Sequence, residues 1–309
     1  MENAMLIPLL AATIQSGTPI LFATLGEMFT ERSGILNLGV EGMMIVGAFA
    51  AFITAQATGS PWLGVLAAGI CGALVGGLHG LICLHFQGNQ VVSGLALTIF
   101  GTGLANYLGT PFIGQRAPGF LSFAVPGLSS IPFLGDIFFR HDALVYLSYL
   151  TPLAFWFFWH RTRPGLALTA AGEYPKAAAA AGLSPVRLRW MGVLVGGFLV
   201  GIGGAYLSLA YTHLWTNGMT AGRGWIAVAL VIFAFWRPGR AVFGAYLFGG
   251  VMAFQLRLQA SGTNLSSSFL LMLPYALTIG ALLFSALRGK GGSSSAAPAA
   301  LGVNIEPEG

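Results

Sequence analysis

Few residues in this 309-residue chain have the type and spacing to do chemistry, and most of their arrangements exclude a function. The histidines His79, His85, His141, His160 and His213 show no metal-ligand spacing with cysteine or carboxylate. No Gly-x-x-x-x-Gly-Lys-Ser/Thr loop occurs, so the chain lacks that means of cradling ATP phosphates. Gly201-Ile202-Gly203-Gly204 follows no strand and reads as a packing surface. The acid–base couple His141–Asp142 sits beside Asp136, where a solvated edge accounts for it better than an intramembrane hydrolase does. Cys71 and Cys83 lie on one apolar segment about 18 Å apart as a helix, beyond disulfide reach. No cofactor, metal or nucleic acid is implied, because the basic residues behind the net charge of +5 are scattered rather than gathered in one patch.

Two groups of residues remain. The first is a set of polar side chains in apolar surroundings: Asn37, Glu41, Asn89, Gln90 and Asn106. These are the candidates for a substrate pathway. A carboxylate in lipid costs about 2.5–3.5 kcal/mol on insertion scales, so Glu41 must be paired or placed for a purpose. A helix dipole, Arg32 or a neighbouring backbone amide would each serve as its partner. The second group is the run Glu173-Tyr174-Pro175-Lys176-Ala177-Ala178-Ala179-Ala180-Ala181-Gly182. Proline suits the first turn of a helix, alanine has the highest helix propensity, and glycine suits the stop. A short helix of such small surface, with no large apolar face to lay on lipid, fits a groove on a partner.

The elements that must position these groups follow from a shortage of charge. Only 7% of residues are charged and 56% are hydrophobic, against about a quarter charged in soluble domains. The 74 residues from Gly42 to Gln115 contain no Asp, Glu, Lys or Arg. A spanning helix needs about 20 apolar residues, so that stretch alone holds three. The chain reads as an all-α, polytopic membrane protein of about nine (8–10) transmembrane helices, near residues 5–25, 40–57, 62–85, 90–110, 143–160, 190–211, 224–236, 240–256 and 268–287. The expected domain is 1–288, with a cytoplasmic loop at 161–189 and a disordered cytoplasmic tail at 289–309. Glycines at small-xxx-small spacing, Gly72-Gly76-Gly80, Gly197-Gly201 and Ala245-Gly249, mark expected helix seams.

Lys and Arg set the orientation. With the 161–189 loop cytoplasmic, ten basic residues lie inside and four outside, which puts the N-terminus out and the C-terminus in. Residues 111–142 form a long outer loop of short interfacial pieces. The 224–236 segment is short for a bilayer and reads equally as half of a broken helix or as a helix whose flanking Arg223 and Arg237 snorkel. Segments two and seven share a Gly-rich polar lead-in and run in opposite directions, the pattern of an inverted repeat.

Three stretches resemble one family, in its order. Thr24-Leu-Gly-Glu27-Met-Phe-Thr-Glu31-Arg32-Ser-Gly34-Ile-Leu-Asn37-Leu-Gly39-Val-Glu41-Gly42-Met-Met44 resembles the lead motif of bacterial ABC importer permeases for nucleosides and simple sugars, in the branch served by basic-membrane-protein-type lipoproteins. Gly172 to Gly182 resembles that family's coupling loop, and Gly222-Arg223-Gly224-Trp225-Ile226-Ala227, with Val231-Ile232-Phe233 and Trp236-Arg237-Pro238, is the third match to the family. The chain departs from the family at Tyr174, usually Asn, and in a pure alanine run where an acidic residue is usual. The resemblance, which runs from about 5 to 288, implies a multi-pass permease of the bacterial cytoplasmic (inner) membrane with no catalytic residues or ATPase site of its own. It implies three partners: a cytoplasmic ATPase contacted by Glu173, Tyr174, Pro175, Lys176, Ala178, Ala179 and Gly182, a second and different permease chain, and an extracytoplasmic substrate-binding lipoprotein. An ion-coupled secondary transporter is the alternative, but it would be expected to carry acidic residues in mid-span, and none follows Glu41 within the spans.

Overall fold

The computed structural model describes residues 2–262, 266, 269–270, 272–288 and 297–304. Twelve helices are defined among them. They are α1 (Glu2–Arg32), α2 (Val40–Thr58), α3 (Pro61–Gly80), α4 (Gln90–Gly109), α5 (Leu134–Phe138), α6 (Ala143–Arg161), α7 (Arg163–Glu173), α8 (Pro175–Ala180), α9 (Pro185–Tyr206), α10 (Arg223–Phe233), α11 (Pro238–Ala260) and α12 (Leu273–Arg288). Wider π turns extend α3 through His85 and α9 through Tyr211.

Among the described residues, six helices are long and apolar enough to cross a bilayer: Leu6–Arg32, Val40–Thr58, Pro61–His85, Gln90–Phe112, Pro185–Tyr211 and Pro238–Ala260. The other three expected spans form helices that do not meet that standard. The α6 helix carries Pro152 and ends in His160 and Arg161. The 11 residues of α10 rise only about 16 Å, and α12 has 16 residues over its described part. The expected start of the ninth segment at 268 lies outside the described residues.

Helix boundaries follow local chemistry. Ser60, Asn89, Asp142, Thr162 and Ser184 cap the starts of α3, α4, α6, α7 and α9, each side-chain oxygen accepting from a backbone N–H two or three residues on. Proline occupies the first turn of α3, α7, α8, α9 and α11. The α1 helix outruns its expected end near residue 25 because its polar final turns are enclosed by protein: Glu27, Thr30 and Glu31 are all buried.

The expected seams are where helices touch. A Cβ on Gly72 would strike the Gly197 carbonyl oxygen of α9, and one on Gly76 would stand 2.9 Å from the Val193 oxygen. Gly249 of α11 meets Gly17 and the Thr13 oxygen of α1 at 2.5 Å by the same measure. Backbones this close admit only glycine. The apolar core is built chiefly from α1, α2, α9, α10 and α11 around Phe22, Phe52, Tyr206, Trp215 and Phe248.

In the 111–142 loop, β1 (Phe123–Ala124) and β2 (Arg140–His141) pair antiparallel. One expectation is corrected here. The tail is not unstructured throughout: residues 297–304 are docked, with the Ala300 amide donating to the Gly172 oxygen (2.9 Å) and the Gly302 amide to the Gly34 oxygen (3.2 Å). Its Ala/Pro/Gly composition rules out a fold of its own but says nothing about lying on a surface already formed. Residues 289–296 and 305–309 lie outside the described residues.

Candidate functional site: a carboxylate-held centre and an exposed arm

Glu41 is 8% exposed in the first turn of α2. Its Oε1 accepts from the Thr220 hydroxyl (2.5 Å) and the Gly222 amide (2.9 Å), and its Oε2 from the Gly224 amide (2.7 Å). The carboxylate therefore sits on the N-terminus of α10, where free amides and the helix dipole favour a negative charge. Its partner is not Arg32, which instead lies over the Trp159 ring at 4.4 Å. Glycine is required on both sides of Arg223. Gly222 has φ +80°, and a Cβ on Gly224 would stand 2.5 Å from the Glu41 backbone. Arg223 does not snorkel, since its guanidinium turns back to the Met219 and Thr220 oxygens. The short α10 is bracketed by irregular backbone, 212–222 before it and positive φ at Phe235 and Trp236 after it.

Two more carboxylates, not singled out in the sequence as site residues, do related work one helical turn apart on α1. Glu27 accepts from the Asn37 amide and from Asn37 Nδ2, both at 3.2 Å. Asn37 Oδ1 in turn accepts from the Gly39 amide at 2.8 Å. Glu31 accepts from Trp236 Nε1 at 2.6 Å. Three acids thus hold three irregular segments: 33–39, 218–224 and 234–237. Their i, i+4 spacing within an otherwise apolar helix was the signal available.

The other expected pathway residues are spread over the molecule. Gln90 Oε1 accepts from the Leu36 amide (2.8 Å), joining the 33–39 segment. Asn89 is exposed and caps α4. Asn106 accepts from the Gly218 amide (3.1 Å) near the 111–142 loop, where residues 114–120 pair with 209–215. His79, fully buried on the glycine ladder, bridges Ser93 Oγ and the Leu36 oxygen, each at 3.0 Å. Because a carbonyl only accepts, Nε2 carries the proton and Nδ1 accepts from Ser93. His141 and Asp142 are not a solvated edge but buried. Asp142 caps α6 through Leu144 and Val145, and His141 bonds the Ile137 oxygen at 2.7 Å. Burial pushes the Asp142 carboxyl up and the His141 imidazole down.

The arm consists of α7 and α8. The sequence reading missed α7, although Thr162 followed by Pro164 is a helix start. The α8 helix ends as expected: Gly182 has φ +80°, its amide donates to the Ala179 oxygen, and the Leu183 amide donates to the Ala178 oxygen. Tyr174 is 71% exposed, and Glu173, Lys176, Ala177 and Ala180 are exposed as well. Ala178 faces inward at 3% exposure, and Ala179 is half-buried. The face offered outward is therefore that of Ala177 and Ala180.

A body of helices long and apolar enough to cross a bilayer, with an exposed, small-surfaced arm, is the form of a transport subunit. Residues 9–282 match the family described as branched-chain amino acid transport system / permease component, and the chain belongs to that family. It is 35% identical over 300 residues, 93% of each chain, to the nucleoside ABC transporter permease protein NupC of Lactococcus lactis. It is 33% identical to the guanosine ABC transporter permease protein NupQ of Bacillus subtilis, over 88% of this chain and 89% of that one. TsgC13 of Haloferax volcanii, which carries a provisional assignment as a glucose ABC transporter permease, is 46% identical over 82% of this chain and 78% of its own length.

Proposed function

We propose that this permease carries nucleosides or simple sugars inward across the cytoplasmic membrane, and that a separate ATPase drives it through α8. The observation that carries the reading is the exposed alanine face of α8, held on a fixed arm against the ends of α1 and α9. The names of NupC, NupQ and TsgC13 support the substrate class. In this reading the transport domain is 1–288, its coupling loop is 161–189, and α6, α10 and α12 complete nine spans. The α10 helix with residues 212–222 would be a broken helix, mirrored by α2 with residues 33–39. That mirror pairing would be the inverted repeat, and Glu41, which joins the first turn of α2 to the start of α10, supports it.

The chain hydrolyses no ATP itself in this account. Its partners are the ATPase, a second and different permease chain, and a substrate-binding lipoprotein that delivers to the outer mouth formed by residues 113–120 and 209–218. Substrate passes near Asn37, Glu41, Asn89, Gln90 and Asn106, where structural bonds already engage most of the polar atoms. A neutral nucleoside or sugar needs no buried counter-charge.

The test is Ala177→Trp and Ala180→Trp in the assembled complex. These positions face outward, so the fold tolerates the change, whereas Ala178 does not offer that separation. Both variants should keep the membrane subunits together and lose the ATP hydrolysis stimulated by loaded binding protein. Normal stimulation would sink the assignment.

A further inference from the structure

The docked C-terminal segment has no place in the function described so far, yet it lies across the base of the arm. Within a few residues it touches four parts of the cytoplasmic side. The Ala299 amide donates to Glu173 Oε2 (3.1 Å), and the Ala300 and Gly302 amides reach the Gly172 and Gly34 oxygens. Asn304 Nδ2 donates to the Gln87 oxygen (2.8 Å), and Asn304 Oδ1 accepts from Gln90 Nε2 (2.9 Å).

Arg189 shows that this contact is built in. Its side chain is fully buried in the first turns of α9, against Gly34. Its guanidinium donates to the Val303 oxygen at 2.7 Å and the Ala300 oxygen at 3.4 Å, and Nε has no partner. A buried guanidinium is costly unless hydrogen-bonded, and the acceptors here come from the strap. The strap also completes a continuous line of bonds. It runs from Glu173 at the root of α8, through 299–304 to Gln90, on to the Leu36 amide, and through Asn37 to Glu27.

We propose that residues 297–304 are a positioning strap for coupling, tying the α7–α8 arm to the 33–39 segment so that displacement of α8 reaches the carboxylate-held centre. This rests on the reading of α8 as the ATPase contact. Without the strap the arm would move on its own and the motion would be lost in the loop.

The experiment uses the complete complex, with its ATPase, partner permease and binding protein, in proteoliposomes. One variant ends after residue 296, a control ends after residue 304, and a third carries Gly302→Val. Gly302 has φ +75° with no atom within 4 Å of an added Cβ, so valine strains only the strap's own backbone. The control should behave as the full chain. The two unlatched variants should retain the ATPase subunit and basal hydrolysis, while stimulation by loaded binding protein falls about tenfold, within the usual range of coupling between sites. The proposal is overturned if an unlatched variant that assembles keeps full stimulation. It is equally overturned if unlatched variants lose the ATPase subunit or the fold itself, since the strap would then be needed for assembly rather than transmission. Ala177→Trp separates the two readings. Stimulation intact there removes the coupling role of α8 and the strap's role with it, whereas stimulation lost there but kept in the unlatched variants removes the strap alone.

Discussion

Glu27, Glu31 and Glu41 are buried acids bonded to amides, an indole and a hydroxyl, and Glu27 and Glu31 also bond each other. An acid in this setting orders irregular backbone that lipid could not satisfy. Glu41→Gln tests this directly. A single amide oxygen would have to serve three donors, and its NH2 group would face donors. Loss of a charge-assisted bond costs about 1.5–3 kcal/mol, so a drop of that order in detergent unfolding stability is expected, together with lost transport. Gly224→Ala should be no milder, because its Cβ would meet the Glu41 backbone, which cannot swing aside; protein yield and thermal midpoint are the readouts. The sequence made Glu41 visible as an acid needing a partner, but Arg32 and a backbone amide were equally plausible. Only the fold brings Thr220 and Gly222 to it, 179 and 181 residues away. Asn37 was legible as a polar group at depth. Its true role, an anchor for a turn back to Glu27, required knowing that α1 runs on to Arg32.

At the scale of elements, the glycine seams were readable because their spacing is local and their chemistry is simple. Gly72→Leu should separate α3 from α9 and cost about 1–3 kcal/mol as overpacking, lowering the unfolding midpoint; Gly103→Leu, where an added Cβ meets nothing within 4 Å, should not. The α8 helix was legible for the same reason, since proline, alanines and glycine specify start, body and stop within ten residues. Which alanine faces outward was not, because a six-residue helix has no apolar pattern to reveal its inner side. The strap was illegible in principle: its bonds are made mostly by backbone groups, which any sequence carries.

For the whole molecule, charge asymmetry predicts the N-terminus outside and the 161–189 arm inside. Cysteines placed at Ser60 and Lys176, with Cys71 and Cys83 replaced, should label from opposite faces of sealed vesicles, Ser60→Cys from outside only. The account as a whole depends on α8 touching an ATPase. The most direct measurement is a photo-crosslinker placed at Ala177 in the intact complex in membranes, with the same probe at Leu63 as a control. The account predicts a covalent adduct with the ATPase subunit from position 177 and none from position 63. Adducts with lipid alone from position 177, in a complex that still transports, would contradict it.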